Sequence, residues 1–304
     1  MGMNMGVNIA GVQWKNPVTT ASGTFASGKE YSNFFDINAL GAITTKGVSS
    51  HPWLGNNTPR VAETYGGMLN AIGLQNPGVE AFIRDDLPFL AQAGTNVIVN
   101  ICGHNVAEYV AVAEALSGES VVDMLEVNIS CPNVSEGGMA FGTNWKMTEK
   151  VVSAVKKVSK QPIIVKLSPN VTDIDVIAKA AEIAGADALS MINTLIGMKI
   201  DLKTRKPLLA NKIGGLSGPA IKPVAVRMIY QVSQAVGIPI IGMGGITCSD
   251  DAIEMILAGA NAVAVGTANF ANPRATVDVI DGIRAYMEGN GINDINNLVG
   301  VAWK

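Results

Sequence analysis

Repeated units of helix, glycine and strand constrain the fold of this chain more than any other feature of its sequence. Ala-Gly-Ala-Asp at 184–187 leads into an apolar run at 188–193, and Ala-Gly-Ala-Asn at 258–261 leads into a similar run at 262–267. An amphipathic stretch precedes the glycine in each unit, as is typical of the end of a helix. Repeated helix-to-strand units predict parallel strands joined by helical crossovers.

Eight short apolar runs are the candidate strands of this fold. Most are continuously apolar rather than alternating, which is typical of strands buried on both faces. The runs are 17–21, 42–46, 96–101, 124–129, 163–167, 188–192, 238–243 and 262–266. Because 304 residues suffice for one α/β barrel, the pattern predicts a single (β/α)8 TIM barrel. We expect residues 7–14 to add a small N-terminal β-hairpin across the barrel bottom.

No linker or low-complexity stretch divides the chain, so we expect residues 1–304 to form one domain. A doubly wound open sheet is the alternative, but the GxGxxG turn that binds dinucleotides is missing after the first strand. Within the predicted barrel, Thr172 and Asp175 fit a capping box for one helix, and Gly185 suits its left-handed end.

The composition excludes several classes of protein. The chain is 48% hydrophobic and 15% charged with a net charge of −3, so it is too apolar for disorder and too neutral for a nucleic-acid partner. No uninterrupted apolar run has membrane-spanning length, and residues 1–15 lack the layout of a signal peptide. We therefore expect a cytoplasmic protein that binds no membrane.

The cysteines and histidines are too few for most metal or disulfide chemistry. Cys102, Cys131 and Cys248 are widely spaced, and two histidines leave no HExxH zinc motif, so we expect no metal. Cys131 lies just beyond a predicted strand and before the glycine-rich stretch 136–142. A thiol beside a flexible lid is a candidate base or nucleophile. Cys102 and Cys248 are predicted to be inert packing residues.

Polar residues and glycines stand where the candidate strands end, which is where barrel enzymes carry their active sites. Lys166 ends an otherwise apolar strand, where burying a charge is costly unless an anionic partner is present. Lys46 repeats the pattern on an earlier strand. The two lysines predict an anionic ligand, or a cofactor that becomes anionic.

Two glycine-rich turns, at 242–245 and 266–267, follow the last two strands, where barrels commonly bind phosphate. Glycines also simply permit tight turns, but their position at two adjacent strand ends favours phosphate. Asparagines at the strand ends offer both donors and acceptors, which suits a planar ring with carbonyl and N–H groups. These are Asn70, Asn100, Asn128, Asn133 and Asn193.

Three motifs resemble those of class 1 dihydroorotate dehydrogenases, and the resemblance covers nearly the whole chain. They are Asn-Ile-Ser-Cys-Pro-Asn at 128–133, Leu-Asn-Ala-Ile-Gly-Leu-Gln-Asn at 69–76 and Thr-Lys-Gly at 45–47. Gly-Leu-Gln-Asn-Pro-Gly at 73–78 and the glycine-rich loop at 137–142 resemble the 1B subtype, the catalytic subunit of the NAD-linked enzyme. The Gly-Lys-Pro-Gln loop of the fumarate-linked 1A subtype is absent, as are the serine and the membrane extension of class 2.

The resemblance implies one FMN per chain and oxidation of (S)-dihydroorotate to orotate in de novo pyrimidine (UMP) biosynthesis. Cys131 matches the base that removes the C5 proton, while the C6 hydride passes to the flavin. Lys166 resembles the lysine whose positive charge stabilises the reduced flavin. The other residues matching FMN-contacting positions are Ser22, Lys46, Gly47, Asn100, Asn128, Ile192, Gly218, Gly244, Gly245, Gly266 and Thr267. The matching substrate contacts are Lys46, Asn70, Ala71, Ile72, Gly73, Leu74, Asn128, Asn133, Asn193 and Thr194.

The resemblance also implies a partner, because in 1B enzymes a separate subunit with FAD and a [2Fe-2S] cluster passes the electrons to NAD. We expect a homodimer of this chain within a heterotetramer, since soluble oligomers are most often two-fold. Three alternatives stay open: a fumarate-linked 1A enzyme, a barrel aldolase with a Schiff base on Lys166, and a non-catalytic flavin-binding scaffold.

Overall fold

The computed structural model describes residues 2–130, 135–136 and 139–304, without the side chains of residues 135, 136, 139 and 140. The strands within these ranges are β1 (Val7–Ile9), β2 (Val12–Trp14), β3 (Val18–Thr20), β4 (Ala42–Thr44), β5 (Val61–Thr64), β6 (Gly67–Asn70), β7 (Asn96–Ile101), β8 (Met124–Asn128), β9 (Ser135–Glu136), β10 (Met139–Ala140), β11 (Ile163–Lys166), β12 (Ala188–Met191), β13 (Leu195–Met198), β14 (Ile200–Asp201), β15 (Lys206–Pro207), β16 (Ile213–Ser217), β17 (Ile240–Met243) and β18 (Ala262–Val265). The α-helices are α1 (Val79–Asp85), α2 (Leu87–Leu90), α3 (Val106–Leu116), α4 (Trp145–Val158), α5 (Ile174–Ile183), α6 (Lys222–Ser233), α7 (Ser249–Ala258), α8 (Ala268–Ala271) and α9 (Ala275–Gly289).

Eight of the described strands form one parallel sheet, and they lie within the eight runs predicted from the sequence. The strand order is β3-β18-β17-β12-β11-β8-β7-β4, and helices alternate with most of the strands along the chain. Nearly every residue of these strands is buried, as the continuous apolar runs predict. The expected TIM barrel is therefore confirmed. Among the described residues, no helix combines the length and the hydropathy needed to cross a membrane.

The strands at the two ends of this order, β3 and β4, meet through threonine side chains. Thr20 Oγ1 donates to the Thr44 carbonyl oxygen at 3.1 Å and accepts a hydrogen bond from the Thr44 N–H at 3.0 Å. Nearby, the Gly41 N–H donates to the Val18 carbonyl oxygen at 3.0 Å. A Cβ on Gly41 would lie only 2.0 Å from the Asn16 carbonyl oxygen, so this approach requires glycine.

The N-terminal hairpin of β1 and β2 is antiparallel, as predicted. Asn96, the first residue of β7, donates from Nδ2 to the Gln13 carbonyl oxygen at 3.0 Å. Lys15 Nζ donates to the Gly94 carbonyl oxygen at 3.0 Å, just before the same strand. The hairpin therefore lies at the amino-terminal end of the barrel strands, which is the barrel bottom.

A second sheet, which the sequence analysis did not anticipate, lies at the opposite end of the barrel. Strands β13, β16, β6 and β5 pair antiparallel in that order, and we call them the lid sheet. In this sheet Asn70 lies opposite Gly215, so two distant parts of the chain come together. Residues from all four strands face the same cavity as the carboxyl ends of the barrel strands.

Two local predictions need correction. Asp173 rather than Thr172 caps α5, because the Asp173 side chain accepts a hydrogen bond from the Asp175 N–H at 3.1 Å. Cys102 is buried as predicted, but Cys248 is exposed at the N-terminus of α7 and is not a packing residue. The Gly185 prediction is confirmed, since this glycine follows α5 with a φ of 102°.

Candidate active site

A cavity of about 850 Å³ lies between the carboxyl ends of the barrel strands and the lid sheet. Every described residue predicted to contact cofactor or substrate lines this cavity. These residues are Ser22, Lys46, Gly47, Asn70, Ala71, Ile72, Gly73, Leu74, Asn100, Asn128, Lys166, Ile192, Asn193, Thr194, Gly218, Gly244, Gly245, Gly266 and Thr267. Cys131 and Asn133 lie outside the described residues.

Lys166 is the last residue of β11, and only 3% of its surface is exposed. Its Nζ donates to Ser22 Oγ at 2.9 Å and lies 3.8 Å from Glu126 Oε1. The anionic partner that the burial of this lysine requires is therefore supplied in part by the protein itself.

Glu126, a buried carboxylate behind the cavity wall, was not among the predicted site residues. It lies within β8 and is 2% exposed. Its Oε1 accepts a hydrogen bond from Asn100 Nδ2 at 2.6 Å, and its Oε2 accepts one from Ser190 Oγ at 2.7 Å. A buried carboxylate is stable only with such donors. The available signal was a single acidic residue interrupting the apolar run at 124–129.

Asn100 has a buried side-chain oxygen with no hydrogen-bond partner among the described residues. The amide nitrogen of the same side chain is engaged by Glu126. A Cβ on Gly47 would lie 2.9 Å from the Asn100 oxygen, so glycine keeps the space beside this oxygen open. A buried acceptor without a donor costs free energy, and a ligand with an N–H group would satisfy it.

Asn128 and Asn193 are adjacent amides with fixed orientations. Asn193 Nδ2 donates to Asn128 Oδ1 at 3.4 Å, and the Thr194 N–H donates to Asn193 Oδ1 at 2.8 Å. The Ser130 N–H also donates to Asn128 Oδ1, at 3.3 Å. Because these bonds orient both amides, their remaining polar groups form a defined set of donors and acceptors on the cavity wall.

Glycines shape the other end of the cavity. Gly218, Gly244 and Gly245 have φ values of 106°, 126° and 85°, which residues with side chains rarely adopt. A Cβ on Gly245 would lie 2.9 Å from the Gly218 carbonyl oxygen, so the turn after β17 closely approaches the turn before α6. Backbone N–H groups at glycine turns beside a helix N-terminus suit a phosphate group.

An ion pair stabilises the turn that follows Gly244 and Gly245. Lys222 Nζ donates to Asp251 Oδ1 at 2.7 Å, while the N–H and Oγ1 of Thr247 donate to Asp251 Oδ2 at 2.8 and 2.7 Å. Burial raises the pKa of the Asp251 carboxyl, but the hydrogen bonds from Lys222 and Thr247 outweigh burial and lower this pKa to about 2. Hydrogen bonds to Asp251 and Glu254 raise the pKa of Lys222.

We expect Asp251→Asn to lower the free energy of unfolding at neutral pH by about 1–3 kcal/mol, because Lys222 and Thr247 lose a charged acceptor. The pKa of Asp251 falls on folding, so its contribution is full above the unfolded value of about 4. The contribution is lost as the pH falls through the folded value of about 2. Urea unfolding of parent and variant between pH 7 and pH 3 measures the difference, which should shrink below about pH 4. A difference that is absent at pH 7, or constant down to pH 3, would contradict this role.

Comparison with known proteins agrees with the resemblance seen in the sequence. The profile of the dihydroorotate dehydrogenase family matches residues 4–287. The chain is 65% identical over 297 residues to the protein named dihydroorotate dehydrogenase B (NAD(+)), catalytic subunit, of Alkaliphilus oremlandii, covering 98% of each chain. It is 66% identical over 298 residues to the protein of the same name from Lachnoclostridium phytofermentans, covering 98% of this chain and 99% of that protein.

A solved structure gives independent support for the fold. The crystal structure of DHODH from Eimeria tenella in complex with ferulenol matches with a TM-score of 0.80 at 22% identity, covering 98% of this chain and 88% of that one. At this identity the match supports the barrel fold alone. The family profile and the relatives above 60% identity show that the chain belongs to the dihydroorotate dehydrogenase family.

Proposed function

We propose that this chain oxidises (S)-dihydroorotate to orotate in de novo pyrimidine biosynthesis, as the catalytic subunit of an NAD-linked enzyme. The relatives at 65% and 66% identity are named dihydroorotate dehydrogenase B (NAD(+)), catalytic subunit. The structural observation that carries the proposal is Lys166, a buried cation at a strand end in the cavity that also holds the paired amides of Asn128 and Asn193. We also propose that residues 1–304 form one FMN-binding domain. The proposed location is the cytoplasm, because thiols such as that of Cys131 stay reduced there.

One FMN per chain fits the chemistry of the cavity. The buried oxygen of Asn100 receives no hydrogen bond from the described part of the chain and suits an N–H group of the flavin ring. The turn at 244–245 suits the phosphate. Bound FMN would supply the hydride acceptor that oxidation at C6 of the substrate requires. The residues proposed to hold it are Ser22, Lys46, Gly47, Asn100, Asn128, Lys166, Ile192, Gly218, Gly244, Gly245, Gly266 and Thr267.

The substrate is proposed to bind between the lid sheet and the barrel, where amide groups from both meet. Asn70 ends β6 of the lid sheet, and Thr194 directly precedes β13. Asn170 supports this wall, because its Nδ2 donates to the Thr194 carbonyl oxygen at 3.0 Å and its Oδ1 accepts a hydrogen bond from the Ile196 N–H at 2.9 Å. The proposed substrate contacts are Lys46, Asn70, Ala71, Ile72, Gly73, Leu74, Asn128, Asn133, Asn193 and Thr194.

Cys131 is proposed as the base that removes the C5 proton. The residue itself lies outside the described part of the chain, but the residue before it is anchored in the site. Ser130 lines the cavity and donates from Oγ to the Lys166 carbonyl oxygen at 2.6 Å. Ser130, the last described residue before Cys131, therefore joins the carboxyl end of β8 to that of β11, which carries Lys166.

Anaerobic addition of dihydroorotate to the purified chain tests the proposal. The chain should be yellow, and its flavin absorbance should bleach as the substrate transfers a hydride. A colourless chain would contradict FMN binding and favour an aldolase with a Schiff base on Lys166. A yellow chain that dihydroorotate does not bleach would favour a non-catalytic flavin-binding scaffold.

We expect the isolated chain to reduce artificial dyes or oxygen but barely to reduce NAD. The sequence has no dinucleotide fingerprint, and its 3 cysteines cannot supply the four thiolates of an iron–sulfur cluster. The partner is proposed to be a subunit with FAD and [2Fe-2S], joined to a homodimer of this chain in a heterotetramer. The measurement is NADH formation from dihydroorotate with and without that subunit. Robust NADH formation by the chain alone would refute the proposed partner, and efficient turnover with fumarate would indicate the 1A subtype.

A further inference from the structure

The only two histidines of the sequence meet on the protein surface. His51 follows β4 and His104 follows β7, the neighbouring strand of the barrel, and their ring centroids lie 6.3 Å apart. Glu108, in the first turn of α3, completes a group of three. Each side chain offers one ligand atom, and the three ligand atoms lie within 4.8 Å of one another. None of the three residues lines the cavity described above.

We propose that His51, His104 and Glu108 bind a divalent transition-metal ion, with Zn²⁺ as the best match. Imidazole nitrogens with one carboxylate oxygen suit Zn²⁺, whereas Mg²⁺ and Ca²⁺ prefer sets made of oxygen atoms. Three protein ligands leave a coordination position for water. The sequence predicts no metal site because it contains no short zinc motif. Only the fold brings His51 to the other two residues.

Neighbouring groups already orient the proposed ligands. Ser50 Oγ lies 2.9 Å from His51 Nδ1, which leaves Nε2 of that ring as the ligand atom. Asn105 Nδ2 donates to Glu108 Oε1 at 3.0 Å, and the backbone N–H of His104 donates to Glu108 Oε2 at 2.8 Å. Hydrogen bonds of this kind commonly hold metal ligands in place and strengthen binding.

A bound ion would join two separate loops of the barrel rim. Trp53 lies beside His104, with ring centroids 3.9 Å apart, and belongs to the same loop as His51. The backbones of Trp53 and Asn76 exchange hydrogen bonds of 3.0 and 3.1 Å, and Asn76 follows the segment 70–74. The ion would therefore link two parts of the chain. One is the loop of His51 and Trp53, which is hydrogen-bonded to Asn76, and the other is the N-terminus of α3. Binding only to the folded chain would raise its Tm.

Calorimetric titration of Zn²⁺ into the flavin-loaded, full-length chain tests the proposal. We expect one Zn²⁺ per chain in the parent. His51→Ala and His104→Ala should each weaken the affinity by more than about tenfold, the loss typical of removing even an outer-shell partner. Cys248→Ser is the matched control, because Cys248 is an exposed thiol outside the group and its loss should leave the affinity unchanged. Zn²⁺ should raise the Tm of the parent and of this control but not of the histidine variants.

Three results would overturn the site: no binding to the parent at millimolar Zn²⁺, parent-like affinity in both histidine variants, or loss of binding in Cys248→Ser. Both histidines are exposed, so their substitution should leave the fold intact. Far-UV circular dichroism and the FMN content of each variant verify that the loss of affinity is local.

Discussion

Cys131→Ala is expected to retain FMN but to be reduced by dihydroorotate about 10² to 10⁴ times more slowly than the parent, the usual contribution of a positioned base. The expectation follows from the proposed role of the thiol in removing the C5 proton. FMN should stay bound because its proposed contacts lie on the strand ends and the glycine turns. Anaerobic stopped-flow absorbance measures the rate, and the ratio of flavin to protein measures retention.

The pH dependence and a second cysteine variant sharpen this experiment. Ordinary thiols have a pKa of about 8.5, so reduction of the parent should accelerate as the pH rises toward that value. The alanine variant should lose this acceleration. Cys248→Ser should behave like the parent, because Cys248 lies at the exposed start of α7. Near-unchanged reduction in Cys131→Ala would remove this residue from the proposed chemistry.

Lys166→Met is expected to slow flavin reduction by about 10² to 10³, the usual loss when one preorganised electrostatic stabiliser is removed. The substitution keeps an unbranched side chain that is only one heavy atom shorter but removes the charge from the cavity. It also leaves Glu126, which is 2% exposed, without its nearby cation. A potentiometric titration should show that the bound flavin has become harder to reduce, or the flavin content should fall.

Glu126→Gln is the matched control, and it should shift the midpoint potential of the flavin in the opposite direction. Removing this negative charge beside Lys166 should make the flavin easier to reduce, because the lysine charge is then less compensated. The double variant Lys166→Met, Glu126→Gln should lie between the two single variants. If Lys166→Met had the midpoint potential and the flavin occupancy of the parent, Lys166 would have no part in holding or tuning the flavin.

The barrel was predictable because its signal is local. A strand covered on both faces must be apolar throughout, so runs such as 163–167 are visible without knowledge of their neighbours. The strand ends follow from the same pattern, and so do several residues that line the cavity, such as Lys46, Asn100 and Lys166. The segment 70–74 was identified through the family resemblance instead. The strand boundaries do not follow from this pattern alone: the run predicted at 238–243 begins as a strand only at Ile240.

The lid sheet and the partner of Lys166 were not predictable because their causes are non-local. β5 and β6 are four residues long, and β6 pairs with β16, which lies more than a hundred positions further along the chain. In the sequence Glu126 resembles a surface residue, because its two donors lie on β7 and β12, far from it along the chain. Cys248 was assigned wrongly because residue type alone suggests burial, whereas its position at a helix start exposes it.

The pairing of Asn70 with Gly215 can form only late in the synthesis of this protein. The two residues are 145 positions apart, so the β6 edge leaves the ribosome long before its partner strand exists. During that interval Leu69, which is 1% exposed in the finished fold, has no cover from β16. Pairings of such long range form slowly, and unpaired edges invite aggregation of nascent chains. The need for chaperones should therefore be greatest between the synthesis of β6 and that of β16.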